Sequence, residues 1–195
     1  MNDTVQDWIN GLAGHFSPLD DFMKLAARDV IYLAPLLLLA LWFWPGTDSQ
    51  RSLNQRVAAV TFFGVVVAVA VAAVIGRLYF EPRPFVSDSS TKLLINHSPD
   101  NSFPSDHASV AFAIAGAILV WRHRLGAGLL LIAMILSFAR VYVGVHWPTD
   151  IMAAALIGLG VGTATALAVP LLATPQCRLS RFLPHQLITP PGPTT

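Results

Sequence analysis

The residues that could do chemistry gather in three stretches. "GRLYFEPRPF" (76–85) carries Arg77 and Arg83, and "FPSDHAS" (103–109) carries Ser105, Asp106 and His107. "ARVYVGVHWPTD" (139–150) carries Arg140, His146 and Asp150. Arginines gathered without a matching set of carboxylates imply an anion, and guanidinium binds phosphate through two parallel hydrogen bonds. Snorkelling to lipid headgroups explains one or two arginines. It does not explain three interleaved with two histidines and a serine. Pro148 suits the first position of a helix, so Asp150 falls in its first turn, four residues after His146. A carboxylate on one ring nitrogen leaves the other bare as a nucleophile. The plainer alternative is that Asp150 only complements the helix dipole. His107, on a separate segment, is placed to protonate a leaving oxygen. Ser105 suits the N-cap of the run that follows, whose free N–H groups would face the same anion. Metal chemistry is not expected: there is no His-Glu-x-x-His, and Asp88, Asp100 and Asp106 are scattered.

The elements that must position these residues are apolar. Of 195 residues, 54% are hydrophobic and only 12% charged, and the mean hydropathy is +0.60. Soluble domains carry roughly 25% charge, so the chain reads as an integral membrane protein. Its formal net charge of +1 gives no reason to expect a nucleic-acid partner. The one cysteine, Cys177, excludes an intramolecular disulfide. No basic stretch opens the chain, so no signal peptide is expected.

Five runs approach the ~20 apolar residues of a membrane helix. They are Val30 to Trp44 (extending back towards Leu19, with Ser17-Pro18 as start signal), Val57 to Gly76, Ala108 to Trp121, Gly126 to Val143, and Ile151 to Leu172. None alternates with period two, so strands are not expected. The predicted fold is an all-α membrane bundle of about five spans forming one domain over residues 1–174. Residues 4–16 set Val5, Trp8, Ile9, Leu12 and Phe16 at helical spacing. That predicts an amphipathic helix, either in the interface or packed on the bundle. Residues 175–195, rich in proline, are expected to form a flexible cytoplasmic tail. Gly158 and Gly162 form a small-xxx-small step suited to close helix packing.

Span parity puts residues 45–56, 122–125 and the tail on one side. It puts 77–106 and 140–150 on the other. Each side holds six Lys or Arg. Setting aside Arg77, Arg83 and Arg140 as site candidates leaves three against six. The positive-inside rule then makes the first side cytoplasmic and turns the candidate site outward.

Taken together, these residues resemble the type 2 phosphatidic acid phosphatase superfamily. Its pattern is a basic residue leading to Arg-Pro, then Pro-Ser-x-His, then Ser-Arg with five residues to His and three to Asp. Pro104-Ser105-Asp106-His107 and Arg140, His146, Asp150 match at the family spacing. Five residues rather than six separate Arg77 from Arg83. Asp106 stands where glycine is usual, and Ala139 where serine is usual. "FPSDHAS", "ARVYVGVHWPTD" and "INGLAGHFSPLD" further resemble bacterial undecaprenyl pyrophosphate phosphatases of the bacitracin-resistance type. The resemblance implies His146 as nucleophile, Asp150 as its partner and His107 as general acid. It implies Arg77, Arg83, Ser105 and Arg140 as phosphate ligands. It further implies a polyprenyl pyrophosphate substrate, no cofactor or metal, and a place in the bacterial inner membrane.

The loop "VSDSSTKLLINHSPDNSF" (86–103) is where specificity is expected. His97 there is either a contact to a distal phosphate or a plain surface histidine. Asp106 either orients a histidine or arginine or complements the helix N-terminus. Rival substrates are phosphatidic acid and phosphatidylglycerophosphate. A serine hydrolase using Ser105 lacks a Gly-x-Ser-x-Gly elbow, and a non-enzymatic lipid-binding or transport protein would leave the constellation without a task. The outward site predicts that Ser98→Cys, in a Cys177→Ser background, reacts with an impermeant thiol reagent in intact cells. Labelling only after lysis would reverse the topology.

Overall fold

The computed structural model of the chain describes residues 2–172. Its elements are α1 (Asn2–Asn10), α2 (Ser17–Arg28), a 3-10 turn (Val30–Tyr32), α3 (Leu33–Phe43), α4 (Asp48–Leu78), α5 (Pro84–Ser87), α6 (Asp106–Trp121), α7 (His123–Tyr142) and α8 (Pro148–Leu172). The described residues form no strand beyond a single bridge between Pro82 and Asn101. The expected tail, 175–195, lies outside the described residues.

Three helices, α4, α7 and α8, are each long and apolar enough to cross a membrane. The first expected run is helical but bent: α2 and the helical stretch Val30–Phe43 meet at 42°. The cause lies in the sequence. Pro35 has no N–H to give to residue 31 and its ring opposes a continuous helix, so the chain restarts with Pro35 in the first turn of α3. The fifth apolar segment, α6, has 16 residues, about 24 Å at ~1.5 Å per residue. That is less than the ~30 Å hydrocarbon thickness. It packs in the centre of the bundle, against α4, α7 and α8, and buries Phe112, Ala113, Ala115, Ala117 and Ile118.

Two connections differ from expectation. Residues 48–56 are helical, not a loop, because Thr47 and Gln50 form a capping box: Gln50 N–H donates to Thr47 Oγ1 (3.4 Å) and Thr47 N–H to Gln50 Oε1 (3.2 Å). This satisfies two N–H groups that a helix start leaves open. The expected 122–125 connection shrinks to Arg122 alone.

The N-terminal segment packs on the bundle, and its helix stops at Asn10, short of the expected residue 16. Gln6, Ile9 and Asn10 are buried against the bundle, while Val5, Trp8, Leu12 and Phe16 stay exposed. Asn10 Nδ2 donates to the carbonyls of Tyr142 (2.8 Å) and Lys92 (2.9 Å), and Lys92 N–H donates back to Asn10 Oδ1 (2.8 Å). So α1 fastens the 79–105 loop to the end of α7. On the outer faces Leu36, Phe43, Phe62, Val74, Leu131 and Leu156 are exposed, an apolar surface that suits lipid contact.

The Gly158–Gly162 step works as the spacing predicts. A Cβ on Gly158 would stand 2.8 Å from Phe112 Cβ and 2.9 Å from Ala113 N, and one on Gly162 would meet the Ala113 backbone. Backbone-close contact between α6 and α8 fixes how their first turns sit side by side. Gly160, on the same helix, has nothing within 4 Å of a Cβ. Gly162→Ala should therefore destabilise the purified protein by ~1–3 kcal/mol through overpacking, read by thermal unfolding in detergent. Gly160→Ala should be neutral or slightly stabilising. Equal behaviour of the two variants would contradict the close crossing.

Candidate active site

The spacing from Arg140 to Asp150 is set by two local devices. The last turn of α7 closes in a Schellman motif: Val145 N–H donates to Arg140 O (3.2 Å) and Gly144 N–H to Val141 O (3.0 Å). Gly144 takes φ +84, the left-handed conformation that favours glycine at this position. The chain thus turns back over the end of α7 and sets His146 beside Arg140. Pro148 then starts α8, and Asp150, in its first turn, accepts the Trp147 N–H at Oδ2 (2.8 Å). One carboxylate oxygen therefore caps the helix start and reaches back to His146.

His146 is the centre of the cluster. Its Nε2 lies 3.0 Å from Arg140 Nη2 and 3.3 Å from Arg83 Nη1. Guanidinium nitrogens only donate, so Nε2 carries a lone pair and the ring proton sits on Nδ1. That nitrogen faces Asp150 Oδ2 at 3.3 Å. His146 is 2% exposed and Asp150 0%. Burial first, then the charges of Arg140 and Arg83, hold the imidazole well below its ordinary pKa. The ring is neutral, with its nucleophilic nitrogen between two cations.

Each arginine is oriented by other bonds. Arg83 Nε donates to Asp100 Oδ1 (2.7 Å), Nη1 to the Val145 carbonyl (2.8 Å) and Nη2 to the Asn101 carbonyl (3.0 Å). Arg140 Nη1 donates to the Ala27 carbonyl (3.1 Å), at the end of α2. Its Nη2 also lies 3.2 Å from His97 Nε2. His97 Nδ1 faces the Ser98 carbonyl at 3.1 Å, and a carbonyl only accepts. His97 is therefore protonated on Nδ1, and its Nε2 accepts from Arg140. Burial, the largest influence, lowers the His97 pKa, in keeping with a neutral ring. Neither expectation for His97 describes this contact, which holds an arginine. Arg140 has no carboxylate partner among the described residues.

Ser105 is the N-cap of α6, but its hydroxyl caps nothing. Ser105 Oγ, Arg140 Nε and Asp150 Oδ1 are buried polar atoms without a hydrogen-bond partner among the described residues. Two of these are donors beside a bundle of cations, an arrangement that calls for an anion. The backbone N–H of Ser105 lies 3.5 Å from the Asp150 carbonyl, so the first turns of α6 and α8 adjoin. His107 is partly buried in that first turn of α6 and Asp106 is exposed. Arg77 is not brought in: it is exposed at the last turn of α4, with no hydrogen bond to the cluster. Among the described residues, no three His, Cys, Asp or Glu side chains could hold a metal ion.

Three members were missed in the sequence. Ser102, 0% exposed, donates its hydroxyl to Asp150 Oδ2 and lies 3.4 Å from His146 Nδ1. Asp100 holds Arg83. Asn101 ties the loop down, its Nδ2 donating to the carbonyls of Gly76 (2.7 Å), Tyr79 (3.0 Å) and Phe103 (3.0 Å). Their one signal is a run of turn-forming polar residues, "SPDNS", just before the serine motif.

Comparison with known proteins agrees with this geometry. The family model described as "PAP2 superfamily" matches residues 57–172. The YbjG protein of Escherichia coli (strain K12) is 40% identical over 135 residues, 68% of this chain and 65% of the relative. The chain thus spans just under two thirds of that relative's length. "Undecaprenyl-diphosphatase BcrC" of Bacillus subtilis (strain 168) is 33% identical over 164 residues, 83% of this chain and 81% of the relative. The crystal structure of Aquifex aeolicus LpxE superposes with a TM-score of 0.65 at 24% identity, covering 83% of this chain and 92% of that one. With its histidine, arginine and aspartate cluster at the end of a membrane helix bundle, the chain belongs to the PAP2 superfamily.

Proposed function

We propose that the protein is an undecaprenyl-diphosphatase: a membrane phosphatase that removes the terminal phosphate of undecaprenyl pyrophosphate. The product would be undecaprenyl phosphate, returning the carrier lipid to cell-wall synthesis. The observation that carries the reading is His146 Nε2 between Arg83 and Arg140, with Nδ1 held by Asp150. The name of the Bacillus subtilis relative supports the choice of substrate.

In this reading the terminal phosphate displaces the contacts that the arginines make with the imidazole. Its oxygens take hydrogen bonds from Arg83, Arg140, Ser105 Oγ and the first-turn N–H groups of α6. His146 Nε2 attacks phosphorus in line. The N–P bond forms as the P–O bond to the lipid phosphate breaks, and His107 gives that oxygen its proton. Nδ1 keeps its proton and hydrogen-bonds Asp150, which stabilises the ring as positive charge develops. Water then attacks the phosphohistidine, His107 takes its proton, and inorganic phosphate leaves. The arginines supply the charge neutralisation that phosphoryl transfer needs, and no metal ion takes part. Arg77, exposed in the free protein, joins only if bound substrate draws it in. The charge count supports a site on the outer face of the bacterial inner membrane.

Arg→Lys keeps charge and loses the two-pronged donor. A hydrogen bond to a charged group is worth about 1.5–3 kcal/mol. Arg83→Lys and Arg140→Lys should thus each lower phosphate release from C55 pyrophosphate by roughly ten- to a hundredfold. EDTA should leave the wild-type rate unchanged, and phosphatidic acid should be the poorer substrate. Wild-type turnover in both Lys variants would remove the clamp. Activity lost to EDTA and restored by a divalent ion would reveal a missed metal. A preference for phosphatidic acid would move the reading to another lipid phosphate.

A further inference from the structure

The end of the bundle remote from His146 holds a second basic site. It is a cavity of about 720 Å³ lined by Leu37, Ala40, Leu41, Trp44, Pro45 and Leu125 on its apolar side. Gln50, Asn54, Arg122, His123 and Arg124 line the rest. α6 and α7 run between the two sites, with Ser105 and Arg140 at one end and Arg122 and Arg124 at the other. The separation is about 24–30 Å at ~1.5 Å per residue.

Nothing in the mechanism uses this cavity, yet its charge is uncompensated. Arg122 and Arg124, the arginines that line it, form no ion pair among the described residues. No carboxylate lines the cavity. Arg122 Nη2 donates to Asn54 Oδ1, and Asn54 is 4% exposed. Arg122 Nε is buried and has no hydrogen-bond partner among the described residues. The cap of α7, Arg122, makes no side-chain cap bond, so the first-turn N–H groups of that helix add to the positive field. A buried donor left open in a cationic pocket asks for an anionic acceptor. Residues 173–195 contain no Asp or Glu and two arginines, so the chain's own C-terminal segment has no side chain that could supply one.

The shape selects the kind of anion. The apolar wall comes from α3, a helix of eleven residues with Leu36, Leu39 and Phe43 exposed outward. The wall ends at Trp44, and a tryptophan at this level suits the headgroup boundary. The basic residues stand beyond it, at the helix ends. A ligand that fits has an anionic head and an apolar tail that continues down α3. We infer that this cavity binds an anionic phospholipid, with the phosphate on Arg122 and Arg124 and one acyl chain along Leu37, Ala40 and Leu41. Such a site ties the α3–α4 turn to the α6–α7 turn through a lipid.

Native mass spectrometry of the purified full chain tests this, with phosphatidylglycerol and phosphatidylcholine as probes. Phosphatidylglycerol should be retained at least ~tenfold more tightly than phosphatidylcholine, the scale of one charged hydrogen bond. Arg122→Gln with Arg124→Gln should abolish the difference. Ala40→Trp, which fills the cavity without touching its charge, should weaken phosphatidylglycerol binding as well, and it serves if the arginine variant does not fold. His146→Gln should leave the preference intact, since the catalytic site is not involved. Equal retention of the two lipids overturns the inference, as does phosphatidylglycerol binding unchanged in Ala40→Trp. Displacement by millimolar inorganic phosphate would overturn a lipid as the ligand, and loss in His146→Gln would assign the lipid to the catalytic site.

Discussion

Two buried guanidinium groups share one imidazole nitrogen, and the rest of the site follows from that contact. Arg83 and Arg140 are 5% and 3% exposed, where an uncompensated charge costs several kcal/mol. Arg83 has Asp100 as a counter-ion; Arg140 has one carbonyl and two ring nitrogens instead. The free site therefore carries a standing demand for negative charge. His146 meets part of it as a neutral acceptor, and that role fixes its tautomer and so which ring nitrogen carries the lone pair. In the proposed reaction a phosphate arriving at the same place would satisfy the arginines and expose Nε2 to phosphorus.

Asp150 is the second element on which the arrangement turns. Its Oδ2 takes donors from Ser102 and from the Trp147 N–H, and faces His146 Nδ1. One atom thereby joins a helix start, His146 and the 79–105 loop. The same loop holds Arg83 through Asp100 and Arg140 through His97. It is itself pinned by Asn10 of α1 and by the Trp147 indole, which donates to the Pro82 carbonyl (2.8 Å). The N-terminal helix thus reaches the site through two hydrogen-bonded steps, although none of its residues touches His146.

Much of the site was legible because its spacing is local. Arg140, His146 and Asp150 belong to a helix end, a left-handed glycine turn and a helix start, all within eleven residues, and such motifs are written in the sequence. Ser105 was legible as a cap position. Its hydroxyl was expected to cap and instead stays open, which suits it better to a ligand. Ser102, Asp100 and the His97 contact were not legible, because they depend on how an irregular loop folds over the bundle. No periodicity reports that. The apolar runs located the helices, including the short α6 with Ser105 at its start, but they did not show the bend before Pro35 in the first run. Arg77, a basic residue near the family position, is exposed and outside the cluster in the free protein.

The most direct measurement is the position of the phosphoryl group on the trapped enzyme. His107→Ala keeps the nucleophile and removes the proton donor and the base. An activated aryl phosphate, whose leaving group needs no proton, should phosphorylate this variant and leave the phosphoenzyme to accumulate. Rapid quench in base, with peptide mapping and phosphorus NMR, then reads the residue and the ring nitrogen. Phosphate on Nε2 of His146 is the result this account requires. Phosphate on Nδ1 of His146, on His107 or on Ser105 would contradict it.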